Sequence, residues 1–171
     1  MSYESATKLG LLADSHDNMD RLRDAVGFFN REGVDLVLHA GDFISPLTAG
    51  PLSALEAELI GVFGNNDGDK LFLRRRFREE EVGKIERSPC QLRIGGKSVI
   101  LMHEPFVLEA LRNSTVPDLI IYGHTHESEL LEGPPLVVNP GEVGGWLTGE
   151  STVALVSLEE MEASIRPLPA S

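Results

Sequence analysis

Lys8-Leu9-Gly10-Leu11-Leu12-Ala13 runs apolar into Asp14-Ser15-His16. After Asn18 the period changes, and Leu22, Ala25, Val26, Phe28 and Phe29 share one face of a helix that reaches Glu32 and stops at Gly33. A second apolar run, Asp35 to His39, follows at once and opens into Ala40-Gly41-Asp42. Strand, amphipathic helix and strand in that order make a βαβ unit, whose strands lie parallel in one sheet. The pattern repeats with a helix over about Pro46 to Leu55, a third strand from Ala57 to Phe63, and a helix over about Asp69 to Glu80. The class is α/β.

From Gln91 the chain turns strand-rich. Gln91 to Ile94, a Gly95-Gly96 turn and Ser98 to His103 read as a β-hairpin, followed by a helical turn around Phe106 to Arg112. Strands are predicted at Asp118 to Tyr122, Glu129 to Leu131, Leu136 to Asn139, Ser151 to Leu158 and Glu162 to Arg166. A helix-rich half and a strand-rich half suggest two packed sheets with helices outside. No linker, repeat or low-complexity segment divides the 171 residues, so 1–171 is read as a single domain. A chain of this length removes roughly 70% of its unfolded surface from water without disulfides or zinc staples, so a metal here would be functional.

Five strand ends carry the chemistry. They read Asp14-Ser15-His16, Gly41-Asp42, Gly64-Asn65-Asn66-Asp67, Met102-His103 and Gly123-His124-Thr125-His126. Ligands of an open α/β sheet gather beyond the carboxyl ends of its strands, so residues distant in sequence converge there. Taken singly, Asp14 is as good a helix cap as a ligand, Gly41-Asp42 a turn, and Asn65-Asn66-Asp67-Gly68 a tight turn. Two histidines spaced as His124 and His126 in a glycine-opened loop point more directly to a metal. Together Asp14, His16, Asp42, Asn65, His103, His124 and His126 exceed what independent turns explain. His39, inside the second strand, reads as a buried, hydrogen-bonded residue behind the ligands.

The formal charge of −12 opposes general binding to a phosphate backbone. The one basic run, Arg74-Arg75-Arg76-Phe77-Arg78, precedes Glu79-Glu80-Glu81 and reads as a solvated helix face with paired charges. A single cysteine, Cys90, excludes an internal disulfide, and the short apolar run Leu9 to Ala13 is neither a signal core nor a membrane span. A cytoplasmic protein without membrane contact is expected, with self-association left open. Trp146, between glycines and alone of its kind, reads as packing.

In order and spacing, Asp-x-His, Gly-Asp, Gly-Asn-x-Asp, His and Gly-His-x-His from Asp14 to His126 resemble the calcineurin-like metallophosphoesterases. The short chain, His39-Ala40-Gly41-Asp42 and Asn139-Pro140-Gly141 resemble the small YfcE-like phosphodiesterases of bacteria and archaea. This resemblance implies a four-layer αββα sandwich of two mixed β-sheets flanked by helices, without a cap domain. It also implies two divalent ions: Asp14, His16 and His126 on one, Asn65, His103 and His124 on the other, Asp42 bridging. Catalysis would then fall to Asp14, Asp42, Asn65 and His103, substrate contact to Asn65, Asn66 and His103, and support to His39 and Asp67.

The expected reaction is metal-dependent hydrolysis of a small phosphodiester by an activated hydroxide, with no covalent enzyme intermediate. Ligands without thiolate suit Mn²⁺ first, with Ni²⁺, Zn²⁺ or Fe as alternatives. Two positions depart from family habit. Glu142 stands where serine is usual, which puts a phosphate contact there in doubt. Asn66 stands where larger members carry a histidine that protonates the leaving group. The rivals are a phosphomonoesterase or nucleotide pyrophosphohydrolase on the same site, and a protein-interaction scaffold of the retromer-subunit type, against which all seven ligand positions stand intact.

Overall fold

The computed structural model describes residues 3–169. Strand β1 (Lys8–Leu12) leads to helix α1 (Met19–Glu32), whose first turn is capped by the Asn18 side chain accepting from Arg21 N–H. Gly33 ends it in the left-handed conformation, φ 62°, that only glycine adopts freely. Strand β2 (Leu36–His39) pairs parallel with β1, and β3 (Glu58–Val62) parallel with β2. The single helix expected over Pro46 to Leu55 is two pieces, a 3₁₀ turn at Pro46–Thr48 and α2 (Ala49–Leu52). Proline fits only the first turn of a helix, so Pro51 is accommodated by a restart at Ala49. Helix α3 (Lys70–Glu79) then leads to β4 (Gly83–Glu86), parallel to β3 and unforeseen in the sequence. Only Ile85 of β4 is buried; a four-residue edge strand with Lys84 and Glu86 leaves no apolar run to detect.

The hairpin is β5 (Cys90–Ile94) and β6 (Lys97–Leu101), followed by α4 (Leu108–Arg112), β7 (Leu119–Ile121), β8 (Ser128–Leu131) and β9 (Leu136–Pro140). Strands β10 (Thr152–Ser157) and β11 (Glu162–Pro167) return to the first sheet on the far side of β1, β10 antiparallel to β1 and β11 antiparallel to β10. One sheet has six strands in the order β11-β10-β1-β2-β3-β4, the other five in the order β5-β6-β7-β9-β8. Both are mixed.

Alternation along the strands sets the layers. Leu9, Leu11 and Ala13 of the β1 segment enter the space between the sheets with Leu38, Ile60, Val99, Leu119 and Val138. Leu12, Val37 and Leu59 face the other way, onto Leu22, Phe29, Leu73 and Phe77 of α1 and α3. On the outer face of the second sheet, Ile120, Tyr122 and Val137 pack with Leu108 and Leu111 of α4. The result is helix, sheet, sheet, helix, as expected. Each fully buried leucine in these layers contributes roughly 1.5–3 kcal/mol, so the loops at the strand ends rest on a stiff frame. No helix among the described residues is long and apolar enough to cross a membrane.

Candidate metal centre

All seven residues singled out by sequence lie at the carboxyl ends of five strands. Asp14 and His16 follow β1, Asp42 follows β2 and Asn65 follows β3; His103 follows β6, and His124 and His126 follow β7. The first four come from one sheet and the last three from the other, so the residues meet where both sheets end.

Their donor atoms form two overlapping groups. In one, Asp14, His16 and His126 offer atoms all within 4.8 Å of one another, with His126 Nε2 at 3.7 Å and His16 Nε2 at 3.8 Å from Asp14 Oδ1. In the other, Asp14, Asp42 and His103 do the same. Asn65 and His124 join this second group: Asn65 Oδ1 lies 2.8 Å from His103 Nε2 and 3.0 Å from His124 Nδ1. Asp42 Oδ2 stands between the groups, 3.4 Å from His16 Nε2 and 3.5 Å from His103 Nε2. That is the position a bridging carboxylate must occupy.

The residues fit a metal on their own chemistry. Asp14 Oδ1 and His16 Nε2 are buried without any hydrogen-bond partner, and such atoms carry their full desolvation cost unless something binds them. The rings are oriented for ligation. His103 Nδ1 is 2.8 Å from the Ala40 carbonyl and so donates, leaving the Nε2 lone pair aimed inward. His103 N–H donates to Ser88 Oγ and His124 N–H donates to Asp14 Oδ2. Burial pushes the Asp42 carboxyl up, but His103 and the bonds from Asn66 outweigh it and hold the group well below the usual carboxylate range. His16 is raised by the Asp14 carboxylate beside it, and His103 is raised by Asp42 against the opposing effect of its burial. Protons therefore compete with a metal for these rings, and affinity for the metal falls with acidity.

Backbone conformation marks the same residues. Asp14, His16, Asp42, His124 and His126 have φ between 41° and 71°, in the region L residues avoid. Five of the seven candidate ligands thus hold strained backbone, a pattern found where function overrides local preference. Close packing fixes them further. A Cβ on Gly64 would fall on the Asp42 carboxylate, so the β2 and β3 loops meet only because residue 64 has no side chain.

A sequence signature for the calcineurin-like phosphoesterase superfamily domain matches residues 7–161. The chain belongs to this superfamily. It is 35% identical over 158 residues to a phosphodiesterase of Methanocaldococcus jannaschii, an overlap of 91% of this chain and 95% of that one. The solved structure of an archaeal phosphodiesterase superposes with a TM-score of 0.88 at 34% identity, covering 94% of this chain and 99% of the other. The YfcE phosphoesterase of E. coli, at 16% identity and a TM-score of 0.60 over 95% of this chain and all of its own, shares the fold.

The residues around this phosphoesterase centre hold it in specific ways. Asp67 Oδ1 accepts from Ile44 N–H at 2.8 Å and Oδ2 from Gly64 N–H at 2.7 Å, tying the Asp42 loop to the Asn65 loop with both oxygens engaged. Burial raises its carboxyl. Asn66 lies on Asp42, donating from its backbone N–H to Oδ1 at 2.9 Å and from Nδ2 to Oδ2 at 2.7 Å. His39 is fully buried and stacked on Phe43. Its Nδ1 accepts from Gly41 N–H while Nε2 has no partner, and burial pushes it down to about 3, so it stays neutral.

Sequence reasoning missed Glu142. Read as a lost phosphate contact, it is instead completely buried, with Oε2 2.9 Å from His126 Nδ1. Its carboxylate also accepts from the backbone N–H of Trp146, Leu147 and Thr148 and from the Thr148 hydroxyl. One acid thus sets the His126 tautomer, with Nε2 toward Asp14, and pins the loop beyond it. Burial alone would raise Glu142, yet the bonds from Thr148 and His126 hold it below its ordinary value. The available signal was an acid directly before Val143 at the end of the apolar β9 run. Trp146, read as packing, is 63% exposed and donates from Nε1 to the His16 carbonyl. Glu142→Gln is expected to weaken metal binding at the candidate group Asp14, His16 and His126 by about 10- to 100-fold, as loss of such carboxylate support typically does. Competition with a chromogenic chelator measures it, with far-ultraviolet circular dichroism as the folding control; unchanged affinity would assign Glu142 to the loop alone.

Proposed function

We propose that this phosphoesterase is a hydrolase of small phosphodiesters whose centre holds two divalent ions. The observation that carries the reading is Asp42 Oδ2, nearly equidistant from His16 and His103, beside two buried atoms that lack partners. The phosphodiesterase assignment of the Methanocaldococcus jannaschii relative supports the diester. In the proposed arrangement Asp14, His16 and His126 hold one ion, Asn65, His103 and His124 the other, and Asp42 both. When bound, the ions supply charge neutralisation at the phosphoryl oxygens and a water deprotonated near neutral pH.

The chain's own groups do the rest. Asp42, kept ionised by His103 and Asn66, offers Oδ2 to both halves of the site while Oδ1 accepts from Asn66 N–H. His103, fixed through Ala40 O, presents Nε2 without rotating, 2.8 Å from Asn65 Oδ1, and these two residues are the ones proposed to meet the phosphoryl group. Ser15 is buried and Cys90 opens β5, so neither is placed as a nucleophile.

Residues 1–171 would act as one domain without a cap, on small diesters rather than nucleic acid or membrane, in the cytoplasm, with self-association allowed and Mn²⁺ favoured over Ni²⁺, Zn²⁺ and Fe. The test is to strip the protein with chelator, add back each metal, and assay a panel of aryl diesters and monoesters. The expected result is close to two ions per chain, with diester turnover restored best by Mn²⁺ and exceeding monoester turnover. Metal content near zero with turnover unchanged would end the proposal.

A further inference from the structure

A cleft of about 450 Å³ opens beside Asn65. Its walls come from three strand ends, two of them shared with the metal centre: Phe63 and Gly64 after β3, Arg87 and Ser88 after β4, and Glu104 and Phe106 after β6. The first turns of α3 complete it with Lys70, Leu71 and Arg74. Asn65 belongs to both the cleft and the metal centre, and Ser88 and Glu104 reach it through His103, by a hydrogen bond and by chain connection. The cleft therefore lies open to one arm of a diester seated at the centre.

The lining has two characters. Phe63, Leu71 and Phe106 offer apolar surface, with Phe106 73% exposed in a position that packing does not require. Lys70, Arg74 and Arg87 add three cations against the single acid Glu104, a local excess of positive charge in a chain of net −12. Two of the cations are placed by the aromatic wall: Lys70 Nζ lies 5.6 Å and the Arg74 guanidinium carbon 5.3 Å from the Phe63 ring centre. Arg74 is further fixed by Nε donating to the Ile85 carbonyl. The basic run was read as a solvated helix face, and for Arg75 and Arg76, paired with Glu79 and Glu80, that holds. Arg74 differs. Among the described residues neither it, Lys70 nor Arg87 is paired with a carboxylate.

We infer that the cleft receives a substrate arm carrying a flat or apolar group and a second negative charge, so that the preferred diester bears an additional carboxyl or phosphoryl group on the arm that stays behind. The volume suits such an arm, since small-ligand sites run from about 300 to 1,000 Å³. Unpaired cations at the mouth of an acidic molecule also concentrate anions locally against the overall repulsion. This inference rests on the diesterase reading of the centre.

The test uses two diesters that both release 4-nitrophenolate, one with a 4-carboxyphenyl second arm and one with the isosteric, uncharged 4-carbamoylphenyl arm. An exposed charge pair is worth up to about fivefold, so three cations are expected to favour the carboxylate in kcat/KM by about tenfold at low salt, mostly through KM. Lys70→Gln/Arg87→Gln changes two exposed side chains and is expected to lower that ratio to about twofold. Equal kcat/KM for the two diesters with the unmodified protein would overturn the inference, as would an unchanged ratio in the double variant. If neither diester turns over in the metal-loaded protein, the diesterase reading falls instead. The cleft is then judged by calorimetric binding of the same two compounds, where equal affinities overturn it.

Discussion

Asp42→Asn is expected to abolish binding of both ions of the proposed centre and to lower kcat/KM by well over about 10²-fold, because removing a ligand costs at least what removing its support does. The expectation follows from place. Asp42 Oδ2 lies 3.4 Å from His16 and 3.5 Å from His103, so it serves both halves of the centre almost equally. An asparagine keeps the size and part of the bonding to Asn66 but loses the charge. His126→Gln, by contrast, strips one nitrogen from the Asp14 group alone and is expected to leave a form with one ion. Elemental analysis and calorimetry of the two variants distinguish them. If Asp42→Asn retained one ion at full affinity, the bridge would belong to Asp14, which contributes to both groups.

Turnover is expected to fall steeply as the leaving group becomes more basic. General acid help is worth about 10² to 10⁴ in rate, and Asn66, where a proton-donating histidine would stand, has an amide that cannot supply it. Nor is that amide idle, since Nδ2 donates to Asp42 Oδ2 at 2.7 Å and helps keep the carboxylate ionised. Asp67, which would have to orient a substitute, already accepts from Ile44 N–H and Gly64 N–H with its two oxygens. Aryl diesters should therefore outrun alkyl diesters by orders of magnitude. The measurement is log kcat/KM across phenols of graded pKa; a flat line would mean that another group protonates the leaving oxygen, with Glu104 at the cleft the first to examine.

The parts of the fold written in local pattern were legible. The apolar run into Asp14, the face of α1 and the run into His39 specify β1, α1 and β2 because each element carries its own period. Strand β4 was not legible, since its pairing with β3 depends on a neighbour rather than on Lys84 or Glu86. Nor was the return of β10 and β11 to β1, which no turn or run encodes. At the site, the five strand ends announced themselves because metal chemistry narrows the residue types allowed. Glu142 escaped notice because its role depends on where His126 Nδ1 and three backbone N–H groups happen to point. Lys70, Arg74 and Arg87 are scattered over two elements and read in sequence as ordinary surface charge. Their shared cleft exists only after β3, β4 and β6 end side by side.

The centre draws four residues from one sheet and three from the other, at the end of an interface filled by apolar side chains. A metal held there acts as a rivet through the sandwich, and the sheets cannot shear or part at that end without giving it up. At a hundredfold excess over Kd, each ion bound in the proposed centre would add about 2.7 kcal/mol to the folded state, a large share of the roughly 5–15 kcal/mol that holds a typical domain together. Metal supply would then govern how long the folded chain survives as well as whether it works, and scarcity would remove the catalyst twice over.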